Sequence, residues 1–244
     1  MSMNQKFLDV LKLSFKTYLE KDSSRSTAKL KSLHGFVAKN LLNKLGGDYT
    51  VQSQGYGNDK EGSITGRYYN KNVDIVVNYQ GIPVAGYAVK FVMRNYSQNS
   101  NNYFENMLGE TANIRSKRIP YFQVFISFED VPYYKKGGDL KKYDHLTNHH
   151  ITKYLELSKD NPDNFFHTPD KTLFILLSLK NYGGQNFKTS KQYALHYLSK
   201  IKDKDLIKYS TRIKDDFDNS VILNNFEDFI DRSISIIKGK GKSK

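Results

Sequence analysis

The apolar positions of the first 47 residues recur with the period of an α-helix. Phe7, Val10, Leu11, Ser14 and Tyr18 share one side of a first helix within Met1 to Lys21. The segment Asp22-Ser23-Ser24-Arg25-Ser26 interrupts that pattern and offers caps for a second helix. The second helix presents Leu30, Leu33, Val37, Leu41 and Leu45, with His34 at the edge of that face, and ends at Gly46-Gly47. The period then shortens. Tyr49 to Gln54 alternates as a strand does, and Gly55 to Gly66 is polar and glycine-containing, as in a loop. Val73 to Tyr79 is strongly β-prone, Gln80-Gly81 makes a turn, and Ile82 to Met93 returns, with Pro83 near its start where proline is tolerated.

Arg94 to Asn102 is a polar stretch that leads into a helix from Asn101 to Arg115, with Phe104, Leu108, Thr111 and Arg115 along one side. Tyr121 to Phe128 and Thr172 to Leu179 are buried-type strands. Between them lie a basic loop, Tyr133 to Lys142, and a helix from Thr147 to Leu157. After Asn181 the pattern predicts helices over Ser190 to Ile201 and Asn225 to Ile237, followed by a flexible basic tail, Lys238 to Lys244. The order predicts an α/β protein: a mixed central β-sheet flanked by helices, rather than a sandwich or a bundle. A chain of 244 residues fits a single domain, with N-terminal helices over 1–47, an α/β core over 48–180, C-terminal helices over 181–237 and the tail over 238–244.

Composition narrows the chemistry. The chain has no cysteine, which excludes a disulfide framework, a thiol nucleophile and a Cys-ligated zinc site. The formal charge is +13, and setting aside the four lysines of the tail leaves a surplus of nine. A surplus spread beyond the tail points to a polyanionic partner, although a Lys-, Asn- and Tyr-rich composition also yields a basic surface. The first residues lack the uncharged core of a signal peptide, and no stretch of about 18 apolar residues occurs. The expectation is a cytoplasmic protein without a membrane partner.

Two charges interrupt the β-prone hairpin. In its second strand Ala88, Lys90 and Val92 share one face, while Tyr87, Val89 and Phe91 share the other. A lysine in such a run is costly unless it is paired or loses its proton. The first strand offers Asp74, flanked by Val73, Ile75, Val76 and Val77, and the hairpin brings Asp74 and Lys90 near each other. A carboxylate that binds Mg²⁺ through oxygen, beside a lysine that orients water, suits metal-assisted hydrolysis. A snorkelling salt bridge uses the same two residues.

From Asn72 to Ser116 the chain resembles the core of PD-(D/E)xK nucleases: Asp74, a hairpin, Lys90 in the second strand, then the helix around Asn101-Asn102-Tyr103-Phe104-Glu105-Asn106-Met107-Leu108-Gly109-Glu110. The resemblance covers about a fifth of the chain and is closest to type II restriction endonucleases. Val73 stands where the family commonly has proline, and Ala88 stands where the second acid belongs, two residues before Lys90. The family's remedy is to place that acid on the following helix, where this sequence has Glu105 and Glu110. Five residues apart, they project about 140° apart on an ideal helix. Glu105, one turn into the predicted helix, is the preferred residue; Glu110 and the upstream loop residue Glu61 are alternates.

The resemblance implies a restriction-endonuclease-like fold and Mg²⁺-dependent, site-specific hydrolysis of double-stranded DNA. It assigns Asp74, Glu105 and the Val89 carbonyl to the metal and Lys90 to the attacking water. It also implies a homodimer that cuts both strands of a symmetric site, and a DNA methyltransferase in the same genome. Ala88 keeps two alternatives open: a nucleic-acid-binding protein with a decayed nuclease core, and a nuclease for repair or RNA processing. Arg94, Asn95, Gln98, Asn99, Asn101 and Asn102 have the side chains that read base edges. Lys135 and Lys136, in the tyrosine-interleaved basic loop, suit phosphate contact. Asp144-His145 and Asn148-His149-His150 lack the hairpin spacing of an HNH nuclease and suit an exposed helix start.

Overall fold

In a computed structural model, which describes residues 1–21, 27–181 and 187–241, the chain forms six helices and eleven strands among the described residues. The interrupting segment 22–26 lies outside them. In chain order the elements are α1 (Met3–Lys21), α2 (Ala28–Leu45), β1 (Tyr49–Ser53), β2 (Gly62–Thr65), β3 (Asn70–Val73), β4 (Ile75–Tyr79) and β5 (Ile82–Val92). There follow α3 (Tyr96–Arg115), β6 (Tyr121–Phe128), β7 (Asp130–Tyr134), β8 (Leu140–His145), α4 (Asn148–Lys159) and β9 (Lys171–Leu179). The last are α5 (Ser190–Ser199), β10 (Ile207–Tyr209), β11 (Val221–Leu223) and α6 (Phe226–Gly241). The mixed α/β architecture expected from the sequence is present.

The main sheet runs β1-β4-β5-β6-β9-β10, with β11 also pairing β9. Its first half is antiparallel, because β4 and β5 form a hairpin; β5, β6 and β9 are parallel, joined by crossovers through α3 and α4. Parallel strands covered on both faces read as continuous apolar runs, and all eight residues of β6 are buried. One face of β5 and β6 packs on the terminal helices. There Tyr87 stacks on Phe122, both meet Phe229 of α6, and Phe128 meets Phe15 of α1. The other face lies under α3 and α4, where Phe125 meets Tyr96 and Tyr154. Lys90 and Ala88 belong to this second face.

The terminal helices close the first face together. Phe7 of α1 stacks on Phe226 of α6 with centroids 4.1 Å apart, and Asn4 bonds to Asn225 and to the backbone of Glu227.

Four expectations are corrected. The loop over 55–66 contains β2, which pairs with β3 as a two-stranded ribbon over a small second core of Ile64, Val73, Val76, Ile114 and Tyr121. Gly62 permits this, since a Cβ there would meet the Val76 side chain at 2.7 Å. The region after 181 also contains β10 and β11, each only three residues long and too short for a periodic signal. The start of α3 lies at Tyr96, five residues early, because the Asp144 carboxylate on β8 accepts bonds from the Ser97 N–H and hydroxyl, both at 2.9 Å. That cap comes from 47 residues away and leaves no local trace. Finally, the tail begins later than expected: α6 continues to Gly241, held by Lys238 on the Lys44 carbonyl and Lys240 on Asp170. Residues 242–244 lie outside the described residues.

Candidate active site

The β2–β3 ribbon leaves the main sheet at Asp74, and this departure builds the site. Ile75 pairs with Tyr87, so continuing the register would set Val73 opposite Val89; instead Val73 pairs with Gly62 in the ribbon. The Val89 N–H is therefore without a ladder partner, and the Asp74 carboxylate takes it at 2.7 Å. Asp74 is thus aimed across β5 by a bond the fold itself requires. Between ribbon, sheet and α3 lies a cleft of about 340 Å³, lined among others by Lys71, Asp74, Val89, Lys90, Tyr103, Glu110 and Gln123.

The charges in this cleft perturb one another. Burial raises the Asp74 pKa, and the nearby Glu110 carboxylate raises it further; the Val89 N–H, Lys71 and Lys90 pull the other way. The Lys90 side chain is exposed to the cleft, less enclosed than its apolar run suggests. The cleft walls nevertheless lower its pKa, opposed by Asp74 and Glu110. Its ammonium sits 4.4 Å from the centre of the Tyr103 ring, and it makes no direct ion pair among the described residues. Glu110 pairs with Lys71 and reaches the Tyr121 hydroxyl at 3.4 Å. Lys29, at the start of α2, is buried, and its pKa is lowered to about 8 by burial and by the charges of Lys90 and Arg94. Lys71 and Lys90 thus line the cleft beside its two carboxylates, with the Lys29 charge within electrostatic range of Lys90. Lys29 was not legible as a site residue, since α2 reads as an ordinary amphipathic helix.

The preference for Glu105 over Glu110 is reversed. Glu105 is exposed on α3 outside the cleft and faces the Lys153 charge, whereas Glu110 lines the cleft. The earlier start of α3 is the reason, because it moves Glu105 to the third helical turn and Glu110 onto the face above Asp74. Glu61 does not line the cleft either; it accepts a bond from Gln54 at 2.9 Å. Among the described residues no group of three His, Asp or Glu side chains is gathered for a metal. Two carboxylates and the Val89 backbone are nonetheless hard oxygen donors of the kind Mg²⁺ uses, since that ion keeps several waters and takes one or two carboxylates plus phosphate oxygens. A cation between Asp74 and Glu110 would also offset the mutual repulsion that raises the Asp74 pKa. The donor set fits Mg²⁺ once Glu110 exchanges Lys71 for it.

The residues expected to read DNA are divided by the fold. Asn95 is committed to structure: its amide bonds to the Tyr134 carbonyl and N–H at 3.1 and 2.9 Å, locking the start of α3 to β7. Asn101 accepts a bond from Lys153 at 3.3 Å, and Asn99 bonds to Tyr103. Gln98 and Asn102 are exposed, all four lie within α3 rather than in a loop, and Arg94 is half-buried between β5 and α3. Lys135 and Lys136 are exposed at the turn of the β7–β8 hairpin, the segment expected to be a loop. His145 bonds to Asp130, and His150 closes the capping box of α4 with Thr147, in keeping with a helix start. His34, placed at a helix edge from the pattern, is 3 % exposed, and neither ring nitrogen has a hydrogen-bond partner among the described residues.

A larger hollow, about 800 Å³, lies beside Asp160, Asp170 and Asp218. Asp170 is already neutralised there by Arg115 and Lys240, which leaves it little capacity for a further cation. No family model, curated protein or solved structure matches this chain.

Proposed function

We propose that the chain is a Mg²⁺-dependent nuclease of the PD-(D/E)xK type, acting on double-stranded DNA as a type II restriction endonuclease does. The observation that carries this reading is the convergence of Asp74, Lys90 and Glu110 in one cleft, at the end of β4 where the β2–β3 ribbon leaves the sheet. A charge of +13, with Lys71 and Lys90 lining that cleft, supports a polyphosphate substrate.

Asp74 and Glu110, with the Val89 carbonyl, would hold the ion; when bound it polarises the phosphate and helps water ionise. The residues supply the rest. The bond from the Val89 N–H fixes the aim of the Asp74 carboxylate. Lys90, whose proton is held less tightly than that of a free lysine, would orient the attacking water and donate to the charge that develops on the non-bridging phosphate oxygens, while the water's proton passes to solvent and the departing ester oxygen takes one up from solvent. Lys71, released from Glu110, neutralises a neighbouring phosphate. A homodimer cutting a symmetric site, a protecting methyltransferase and a cytoplasmic setting belong to the same proposal.

The second reading is a nucleic-acid-binding protein without catalysis, favoured by Ala88 and by the ion pair that occupies Glu110. Incubating the purified chain with long unmethylated DNA, in Mg²⁺ or in EDTA and beside Lys90→Met, separates the two. Discrete fragments that need Mg²⁺ and vanish in the variant support the nuclease. Salt-sensitive binding with no cleavage overturns it in favour of the second reading, and a smear removes the site-specific part.

A further inference from the structure

The floor of the cleft contains one polar group that the proposed mechanism does not use. Gln123 lies on β6, directly beside Ala88 of β5 in the parallel register and on the same face of the sheet. It lines the cleft, is 7 % exposed, and its side-chain Nε2 has no hydrogen-bond partner among the described residues. Thr172, its register neighbour on β9, also carries a buried hydroxyl without a partner. A row of small or uncommitted polar positions thus extends from below Asp74 into the sheet.

Packing does not account for this glutamine. A buried amide N–H without an acceptor is destabilising, and leucine or methionine would fill the same volume without that penalty. The other β6 residues on that face are each accounted for: the Tyr121 hydroxyl reaches Glu110, Phe125 is apolar, and Ser127 bonds to the Phe128 carbonyl. The short Ala88 side chain matters here, because strands lie about 4.8 Å apart and a larger residue would block the path from the Gln123 amide to the cleft. Alanine at the position where the resemblance calls for an acid keeps Gln123 among the residues lining the cleft, with its Nε2 enclosed just beneath the surface and needing a turn of the side chain to meet a ligand there. An unfilled donor calls for an acceptor, and a site rimmed by Lys71 and Lys90 draws anions.

We infer that Gln123 donates from its side-chain amide to a non-bridging oxygen of the phosphate seated between Asp74 and Lys90. The inference rests on the nuclease reading and deepens it: it assigns the floor of the cleft to the substrate rather than to the metal. Gln123 is then a phosphate-binding residue on a rigid central strand, and Ala88 is the residue that gives it access.

Binding and stability together test it. The full chain, Gln123→Met and Gln123→Glu are titrated with unmethylated duplex DNA in Ca²⁺ in place of Mg²⁺, and each is unfolded in urea. A hydrogen bond to a charged oxygen predicts that Gln123→Met binds DNA about 10- to 100-fold more weakly while being at least as stable as the parent. Gln123→Glu weakens binding further, since a carboxylate repels the phosphate. Unchanged binding by Gln123→Met overturns the inference. So does tighter Ca²⁺-dependent binding by Gln123→Glu, which would make the side chain a metal ligand. If the parent chain itself neither binds nor cuts DNA, the nuclease reading fails and the inference is overturned with it, a result distinct from unchanged binding by Gln123→Met.

Discussion

Tyr121 touches two groups of enclosed charge, and the protein treats them differently. Its backbone N–H donates to Asp170 at 3.0 Å, within a cluster where Arg115 and Asp170 are each 5 % exposed. There Arg115 binds the Asp170 carboxylate at 2.7 Å and the carbonyls of Phe165 and Thr168, both at 2.8 Å, while Lys240 adds a further bond to Asp170. The Tyr121 hydroxyl instead reaches Glu110, in the cleft where Asp74 has one hydrogen bond and Lys90 rests on an aromatic ring. The first cluster is saturated, with donors and acceptors matched inside the protein. The second is left short of partners and open to solvent. A buried ion pair with full hydrogen bonding ties α3, β6 and the approach to β9 together. A set of charges that raise and lower one another's pKa beside a cleft has capacity left for a ligand. Both motifs are charges in an apolar setting; what separates them is whether the protein completes their bonding.

Breaking the saturated cluster has the largest expected effect. Arg115→Ala leaves Asp170 buried with less compensation and is expected to cost about 3–5 kcal/mol of unfolding free energy in urea. Equal stability of this variant and the parent would erase the distinction. Lys90→Met sharpens it from the other side. It is expected to leave urea unfolding within about 1 kcal/mol of the parent and to reduce DNA hydrolysis roughly 10²- to 10³-fold, the scale of losing one stabiliser of developing charge. A loss of stability with unaltered cleavage would move Lys90 into the structural group.

His34 extends the comparison to a buried group with neither kind of completion. Burial lowers its pKa from 6.5 to about 4, with the Glu61 charge opposing. Between those pH values the unfolded chain binds a proton that the folded chain does not. Stability is therefore full above about pH 6.5 and declines as pH falls toward 4, by at most about 3 kcal/mol. Urea titrations at pH 7 and pH 4.5 should show that decline, and His34→Leu should lose the part of it due to this residue. The smallest effect separates the two glutamates. Glu105→Gln should leave cleavage unchanged within about twofold, whereas Glu110→Gln should lower it at least tenfold and weaken its dependence on Mg²⁺. Equal losses would return Glu105 to the site.

What could be read in advance follows the range of the interactions. The helices over 7–18 and 30–45 and the strands around Asp74, Lys90, Val124 and Ile175 carry their own periodicity, so their type and order were legible. Asp74 and Lys90 stood out because each interrupts an apolar run. The identity of the second acid did not, since it depends on where α3 begins, and that is decided by Asp144, a residue on a distant strand. Asn95 looked available for DNA for the same reason: its partner Tyr134 is 39 residues away. Lys29 and Gln123 were concealed by the opposite circumstance. Each sits in an element whose pattern is ordinary, and only the assembled cleft gives them neighbours that matter.

The pairing of α1 with α6 sets a schedule for the chain's own production. Phe7 and Phe226 are separated by more than two hundred residues, so at about 5–20 residues per second the first helix waits roughly 10–40 seconds for the aromatic ring that covers it. During that interval Phe7, Leu11 and Phe15 have no finished surface to cover, and contacts of such long sequence separation are slow to form. The hairpin bearing Asp74 and Lys90 emerges well before α6 can pack behind Tyr87 and Phe122. The growing polypeptide therefore carries its charged hairpin for some time without the helix that stiffens the sheet beneath it, and a chain cut short before α6 would retain those residues but lack that support.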